Sequence, residues 1–215
     1  EGDEYDTAFF DKGSKFFHYA PFRAIVTSVE YDHADIFADL EAVKAAFVRF
    51  VGLIPAEGDL VVCADDAGAV EVAKAARCPV TTYRVLAEGD DPASADYTAR
   101  PSIKRGGGQT LFELFERGES QGEWATSLVG GYNISNILAA VAVARKEGAS
   151  IAALREGVRR FRGVRRRQEL LGIAAGIRVV TDFAHHPTAV KVTVTAVRRH
   201  FPNNKLHVCF EPRSA

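Results

Sequence analysis

The chain has 215 residues, of which 47% are hydrophobic and 26% charged, a composition typical of one or two ordinary folded domains. Its formal net charge of −1 gives no electrostatic reason to expect nucleic acid or an anionic membrane as a partner. No apolar run has membrane-spanning length, no signal peptide is apparent, and the three cysteines are widely spaced in apolar surroundings. We therefore expect a cytoplasmic protein with buried, reduced thiols.

The N-terminal segment carries four carboxylates in residues 1–6. A run of this kind is usually a solvated surface, but carboxylate oxygens are also the ligands of hard cations such as Mg²⁺. Residues 24–29 are predicted to form a strand because of their β-branched content. Residues 30–35, which include His33 and three further acids, would then lie at the carboxyl end of that strand.

Residues 39–83 alternate between helical and strand patterns. Apolar spacing predicts a helix over 39–52, a strand over 60–63, a helix over 65–77 and a strand over 80–83. This order predicts parallel pairing of the strands. Residues 87–108 are predicted to be a loop, since they are rich in Asp, Pro, Ser and Gly and lack periodicity.

An antiparallel pair is predicted from residues 110–115 and 124–129, joined by a polar turn over 118–122. In the helix that follows, Asn133 is expected to be the N-cap, and Asn136 lies one turn later. Capping alone explains Asn133, whereas Asn136 is not needed for a cap and could contact a ligand. Ser150 is predicted to cap a further helix that ends near Phe161.

Residues 162–169 form a short basic segment that is predicted to mark a domain boundary. A solvated linker and a polyphosphate clamp both explain it, because Arg side chains bind phosphate oxygens bidentately. Beyond the boundary, residues 206–210 are predicted to form a strand.

The most informative stretch is residues 181–188, which contain Asp182, His185, His186 and Pro187. A buried strand is predicted before it, over 177–180, and Pro187 suits the first turn of a helix that extends to about His200. One acid and two imidazoles would therefore lie where a strand ends and a helix begins. At this edge α/β sheets bind ligands and helix N-termini favour phosphate. A polar loop with a capping Asp is the alternative explanation.

Five segments, taken in order, resemble the Mur ligase family, ATP-dependent enzymes that build the peptide of bacterial peptidoglycan. They are residues 1–12, 30–37, 133–136, 163–167 and 182–188. The resemblance implies an α/β fold. Residues 1–161 would be a central ATP-binding domain, with a mostly parallel sheet, flanking helices and a small antiparallel part. Residues 162–215 would begin a Rossmann-like C-terminal domain. Because the family's phosphate loop and sugar-binding domain are absent, we expect a fragment that is inactive alone.

The resemblance also implies roles for residues near the phosphates. Glu1 and His33 would hold a Mg²⁺ or Mn²⁺ ion. His185, His186 and Arg167 would lie at the reacting phosphates and take part in catalysis.

The nucleotide and substrate roles follow from the same resemblance. Asn133 and Asn136 would contact the adenine end of ATP, Arg167 its phosphates, and Asp182 its ribose. Arg213, after the predicted strand 206–210, is a candidate for binding a substrate carboxylate, although a plain surface Arg explains it equally well.

The sequences of the first and last segments most resemble those of one branch of the family. Its members join UDP-N-acetylmuramate to the tripeptide L-alanyl-γ-D-glutamyl-meso-diaminopimelate in peptidoglycan recycling. The branch that adds L-alanine typically has Tyr-Gly before the two His, where this chain has Phe183-Ala184. Three alternatives remain open: an L-alanine ligase, a metal-dependent hydrolase, and a non-catalytic nucleotide-binding module.

Overall fold

The computed structural model describes residues 2, 4–6, 11–102 and 109–212. Its main sheet has the strand order β1-β2-β3-β4-β5-β6. The strands are β1 (Arg23–Val26), β2 (Asp59–Cys63), β3 (Val80–Val85), β4 (Tyr97–Pro101), β5 (Thr110–Glu116) and β6 (Glu119–Thr126). The first four pair in parallel, and β5 and β6 add an antiparallel part. The mixed α/β fold that we expected is therefore confirmed.

Helices cover both faces of this sheet because neighbouring residues of its strands point to opposite sides. Helices α1 (Leu40–Val51) and α2 (Ala67–Ala73) bury Val43, Val51 and Val72 together with Leu60 and Val62 of the sheet. On the other face, α3 (Gly131–Lys146) packs its apolar side against the aromatic side chains of β3 to β6. The sheet is thus the middle layer of three.

The sheet differs from the prediction at two places. Strand β4 lies inside the predicted loop 87–108, and its five residues are too few to give a periodic signal. The turn between β5 and β6 is the pair Arg117-Gly118, whose φ angles of 51° and 82° suit a tight hairpin turn. The predicted turn over 118–122 is therefore too long, since residues 119–122 belong to β6.

Helix α3 begins three residues earlier than predicted. Gly130 is its N-cap, and Asn133 is the third helical residue, so the predicted capping role of Asn133 is wrong. Helix α4 (Ile151–Arg160) follows, and the Ser150 side chain caps it as expected.

The C-terminal part consists of a two-stranded antiparallel hairpin and a helix. The hairpin is β7 (Glu169–Ala174) and β8 (Ile177–Thr181), and the helix is α5 (Pro187–His200). Residues 161–168, which lie between α4 and β7, form no helix or strand. The domain division that we predicted there stays a prediction.

Two predictions for this part are wrong. Strand β8 is exposed rather than buried, since Ile177 is 67% exposed, and residues 206–210 belong to no strand. Residues 206–210 have the apolar pattern of a strand, but a strand also needs a neighbouring strand that bonds to its backbone. In the described residues, β7 and β8 pair with each other, and neither pairs with residues 206–210. Cys209 is likewise exposed, whereas Cys63 and Cys78 are buried as expected. Within the described ranges, no helix has the length and apolarity needed to cross a membrane.

An ion-pair cluster fastens the C-terminal end of α3 to the amino edge of the sheet. Asp59 begins β2 and is only 8% exposed. Its carboxylate accepts hydrogen bonds from Lys146 and Arg23, both at 2.9 Å, and Arg23 also pairs with Glu147. The Lys146 and Arg23 hydrogen bonds keep the pKa of Asp59 below its ordinary value, against the opposing effect of burial.

We predict that Lys146→Met lowers the free energy of unfolding by about 1–3 kcal/mol at pH 7, because it leaves a nearly buried carboxylate with one partner fewer. Since the folded pKa of Asp59 is lowered, its ion pairs stabilise the fold above the unfolded pKa. This contribution is lost as the pH falls through the folded pKa, below 3.8. Urea unfolding from neutral pH to below that value would measure the effect.

The control for this experiment is Lys191→Met, which changes an exposed lysine of α5. The role given to the cluster would be contradicted if Lys146→Met lowered the free energy of unfolding no more than this control does. It would also be contradicted if the loss of stability stayed constant down to the lowest pH.

Candidate functional site

The acidic N-terminal segment and the loop after β1 fold against each other. Nε2 of His33 lies 3.6 Å from Oε1 of Glu4, and the His33 side chain is only 15% exposed. The rings of His33 and Tyr5 meet edge to face with their centroids 4.8 Å apart. The Tyr5 hydroxyl also donates a hydrogen bond of 2.8 Å to Asp35. His33 thus lies beside the Glu4 carboxylate, while Glu1 lies outside the described residues.

His33 and the carboxylates around it are side chains of the kinds that bind divalent cations. Carboxylate oxygens bind Mg²⁺ and Mn²⁺, and imidazole nitrogen is a common ligand of divalent transition metals. In the part of the chain that the structure describes, no group of three His, Cys, Asp or Glu side chains forms a ligand set. The ion site at Glu1 and His33 therefore stays a prediction. Glu4 is a carboxylate beside His33 that sequence reasoning did not single out, although it belongs to the same acidic run.

The two adjacent histidines make contacts in different directions. Nδ1 of His185 lies 3.0 Å from the carbonyl oxygen of Phe183, and the two rings pack together. Nε2 of His186 lies 3.3 Å from the carbonyl oxygen of Tyr31, and its Nδ1 lies 3.6 Å from the carboxylate of Glu30. The structure brings His186 to the loop after β1, while His185 packs against its own turn.

Thr188 strengthens the same contact. Its hydroxyl donates a hydrogen bond of 2.7 Å to the Glu30 carboxylate, across 158 positions of sequence. The first turn of α5 therefore contacts the loop after β1 through two side chains that meet one carboxylate. Nothing in the sequence pattern pairs Glu30 with Thr188, because neither the strand period nor the helix period spans such a separation.

A cavity of about 1210 Å³ lies between α3, α5 and the segment 161–168, and we call it the linker cavity. Four predicted nucleotide residues line it, namely Asn133, Asn136, Arg167 and Asp182. Arg162 and Arg165 also line it, and much of the remaining wall is apolar. That wall includes Ile137, Val141, Leu154, Val158, Ala184 and Val192. Residues from three distant segments of the chain are therefore gathered around one space.

The two asparagines of α3 are in different situations. Asn133 is half-buried, and its amide donates a hydrogen bond of 2.8 Å to the carbonyl oxygen of Val129. Asn136 is exposed, and its side-chain amide bonds to no other group in the described ranges. Asn133 therefore has a structural role already, whereas Asn136 can bond to a ligand.

Asp182 is engaged by the backbone on both of its oxygens. It accepts hydrogen bonds from the N–H of Gln168 at 2.8 Å and from the N–H of Ala184 at 2.7 Å. A carboxylate has about four acceptor positions, so two remain for a ligand. Asp182 does not cap α5, whose N-cap is His186, but it bonds to the backbone of its own turn. The two remaining acceptor positions leave room for the predicted ribose contact.

The guanidinium of Arg167 stays at the surface of the linker cavity. Its central carbon lies 5.9 Å from the centre of the Phe183 ring, which lets the aromatic face support the cation. Arg213, the predicted substrate residue, lies outside the described residues.

The N-terminus of α3 packs closely against α5. Gly130 has φ 98° and ψ 151°, a conformation that glycine alone adopts readily, and a Cβ placed on it would lie 2.7 Å from Cβ of Ala196. Tyr132 lies beside this contact, and burial raises the pKa of its hydroxyl. Tyr132 lines the linker cavity and Gly130 packs next to it, and sequence reasoning assigned neither residue to the site.

Comparisons with known proteins identify the same family for both parts of the chain. The family model of the Mur ligase middle domain matches residues 11–144, and that of the Mur ligase glutamate ligase domain matches residues 166–215. The chain is 38% identical to the UDP-N-acetylmuramate–L-alanyl-γ-D-glutamyl-meso-2,6-diaminoheptandioate ligase of Escherichia coli, across 100% of the chain and 45% of that protein. It is 33% identical to the UDP-N-acetylmuramate–L-alanine ligase of Salinibacter ruber, across 99% of the chain and 42% of that protein.

Among solved structures, a murein peptide ligase from Psychrobacter arcticus is 33% identical with a TM-score of 0.71, and covers 100% of this chain and 42% of that one. The chain thus spans less than half the length of the curated relatives it matches here.

We predict that Gly130→Ala destabilises the protein by about 1–3 kcal/mol, through the strained backbone and the clash with Ala196. Gly131→Ala is the matched control, because a Cβ there meets no described atom within 4 Å. Alanine should be neutral or slightly stabilising in that first helical position. Thermal unfolding of both variants would check this, and equal effects at the two glycines would contradict the close packing of α5 on α3.

Proposed function

This chain belongs to the Mur ligase family, and we propose that it is part of an ATP-dependent ligase that forms an amide bond through an acyl phosphate. The acid would be UDP-N-acetylmuramate, and the amine would be the tripeptide L-alanyl-γ-D-glutamyl-meso-diaminopimelate. The observation that carries the proposal is the gathering of Asn133, Asn136, Arg167 and Asp182 around the linker cavity. The four residues are spread over positions 133–182 of the sequence, and the fold brings them together around one cavity.

The linker cavity suits a nucleotide in its chemistry. Its apolar wall would pack on the faces of a base, and the free amide of Asn136 would bond to the base edge. The remaining acceptor positions of Asp182 would take ribose hydroxyl groups. Arg162, Arg165 and Arg167 would bind the phosphates, since guanidinium groups bind phosphate oxygens bidentately.

The reaction that we propose has two steps. A carboxylate oxygen of UDP-N-acetylmuramate attacks the γ-phosphorus of ATP, the bond to the bridging oxygen breaks, and ADP leaves. The amine nitrogen of the tripeptide then attacks the acyl carbon, phosphate leaves with its C–O bond broken, and the nitrogen loses a proton. Positioning and charge neutralisation supply most of the rate in phosphoryl transfer.

The residues near the phosphates have separate roles in this proposal. A divalent ion held by Glu1 and His33, with Glu4 nearby, would neutralise phosphate charge. Arg167 would bind the transferred phosphoryl group. His185 and His186 would lie beside it, with His186 held against the loop after β1 by Tyr31 and Glu30.

The tripeptide is favoured as the amine by the 38% identity to the Escherichia coli ligase across the whole chain. An L-alanine ligase is the second candidate, because that name recurs among the relatives. Family membership argues against the metal-dependent hydrolase that the acidic and histidine clusters left open. A non-catalytic nucleotide-binding module would bind ATP without consuming it.

For the phosphate role, we expect Arg167→Ala to lower kcat about tenfold to a hundredfold in the full-length enzyme, as loss of a charged hydrogen bond to a phosphate does. Arg166→Ala is the matched control, since Arg166 does not line the linker cavity and its backbone N–H bonds to Glu169. Arg165→Ala should have a smaller effect than Arg167→Ala. Steady-state kinetics would measure kcat for the three variants. An equal loss of kcat in all three would contradict a specific phosphate-binding role for Arg167.

For the amine, we expect the full-length enzyme to prefer the tripeptide over free L-alanine when both compete for UDP-N-acetylmuramate. Arg213→Ala should raise the KM for the tripeptide, by about tenfold for loss of a carboxylate pair, and leave the KM for ATP unchanged. Product analysis of the mixed reaction is the measurement. A preference for L-alanine would assign the chain to the second candidate function.

A further inference from the structure

Gln168 has a side-chain amide whose nitrogen is buried without a hydrogen-bond partner in the described part of the chain. The residue lies beside Arg167, just before β7, and lines the linker cavity. A buried N–H group without an acceptor destabilises the protein that carries it, so such groups are rare and call for an explanation. An apolar side chain of similar size would avoid this cost.

The backbone of Gln168 is held in a conformation that non-glycine residues rarely adopt. Its φ is 49°, and that of Arg166 is 60°, both in the left-handed region. The N–H of Gln168 donates to the Asp182 carboxylate at 2.8 Å, and this bond fixes the direction in which the side chain leaves the backbone. Strain and an unpaired donor therefore coincide at one residue of the cavity wall, and strained backbone clusters at functional sites.

The surroundings of the cavity indicate what would accept the hydrogen bond. The wall near α3 and α4 is apolar, with Ile137, Leu154 and Val158, and the amide of Asn136 is exposed beside it. Apolar surfaces bordered by a few amide groups fit a flat heteroaromatic ring with acceptor nitrogens at its edge. Rotation about the last side-chain bond of Gln168, a broad torsion, would turn its N–H toward that ring.

We propose that Gln168 donates a hydrogen bond to an acceptor on the base of the bound nucleotide and thereby contributes to nucleotide selectivity. This inference rests on the proposed function, since it takes the linker cavity as the nucleotide site. The hydrogen bond is made only when the nucleotide is present, so the free protein carries the unpaired donor and the complex does not. A site of this kind disfavours ligands that lack the acceptor.

The proposal has two consequences of opposite sign. Gln168→Leu removes the unpaired donor, so the free protein should keep its Tm or gain in it. The same change removes a bond to the base, so the affinity for ATP should fall about tenfold. A purely structural role for Gln168 would lower the Tm instead.

The experiment uses the full-length protein and its Gln168→Leu and Gln168→Glu variants. Gln121→Leu is the matched control, since Gln121 does not line the linker cavity and, within the described ranges, its side-chain amide donates to the nearby carbonyl oxygen of Glu119. Calorimetry measures Kd for ATP and for inorganic tripolyphosphate, and thermal unfolding without ligand measures Tm. We expect both Gln168 variants to bind ATP about tenfold more weakly, with tripolyphosphate affinity unchanged in Gln168→Leu and no change in the control.

Three results would overturn the proposal for Gln168: unchanged ATP affinity in Gln168→Leu, an equal loss for ATP and tripolyphosphate, or a lower Tm of the free variant. Failure of the proposed function is distinguishable from these, because it is seen in the unaltered protein, which would then bind no ATP or bind ATP without forming the amide.

Discussion

The carboxylate of Asp182 holds two backbone N–H groups, one from Gln168 in the linker and one from Ala184 in the turn before α5. Hydrogen bonds to a charged acceptor are among the stronger ones in proteins, and these two join segments that would otherwise be independent loops. The direction of Gln168, the position of Arg167 next to it and the start of α5 all follow from this one side chain. The linker cavity exists in its observed form because Asp182 keeps the linker against the turn.

Helix α5 is attached to the rest of the chain at two further places. Near its start, Thr188 and His186 meet the carboxylate of Glu30 in the loop after β1. Further along, Ala196 lies directly over Gly130 at the N-terminus of α3. The first contact connects α5 with the loop that carries His33, and the second lies beside Tyr132, which lines the linker cavity. A single helix thereby relates the predicted metal site to the predicted nucleotide site.

Much of this arrangement could be predicted from local sequence patterns, and the rest depends on contacts between distant segments. The parallel strands and the helices α1 and α3 follow from apolar periodicity, and the Asp182 segment follows from its position between a strand and a proline. The same periodicity gave wrong results for residues 206–210, because it predicts which residues suit a sheet and says nothing about the neighbouring strand. The contacts of Glu30 with Thr188 and of Gly130 with Ala196 leave no local pattern, so only the fold reveals them.

The central claim is that the site activates a carboxylate by phosphorylation. The most direct test labels the carboxylate oxygens of UDP-N-acetylmuramate with ¹⁸O and follows the label during turnover by the full-length enzyme with ATP and the amine. Transfer of the phosphoryl group to the carboxylate predicts one ¹⁸O atom in the inorganic phosphate for each amide bond formed. Unlabelled phosphate, with three oxygens from ATP and one from water, would indicate hydrolysis of ATP without acyl phosphate formation. Label in AMP would indicate an adenylate. Either result would contradict the account.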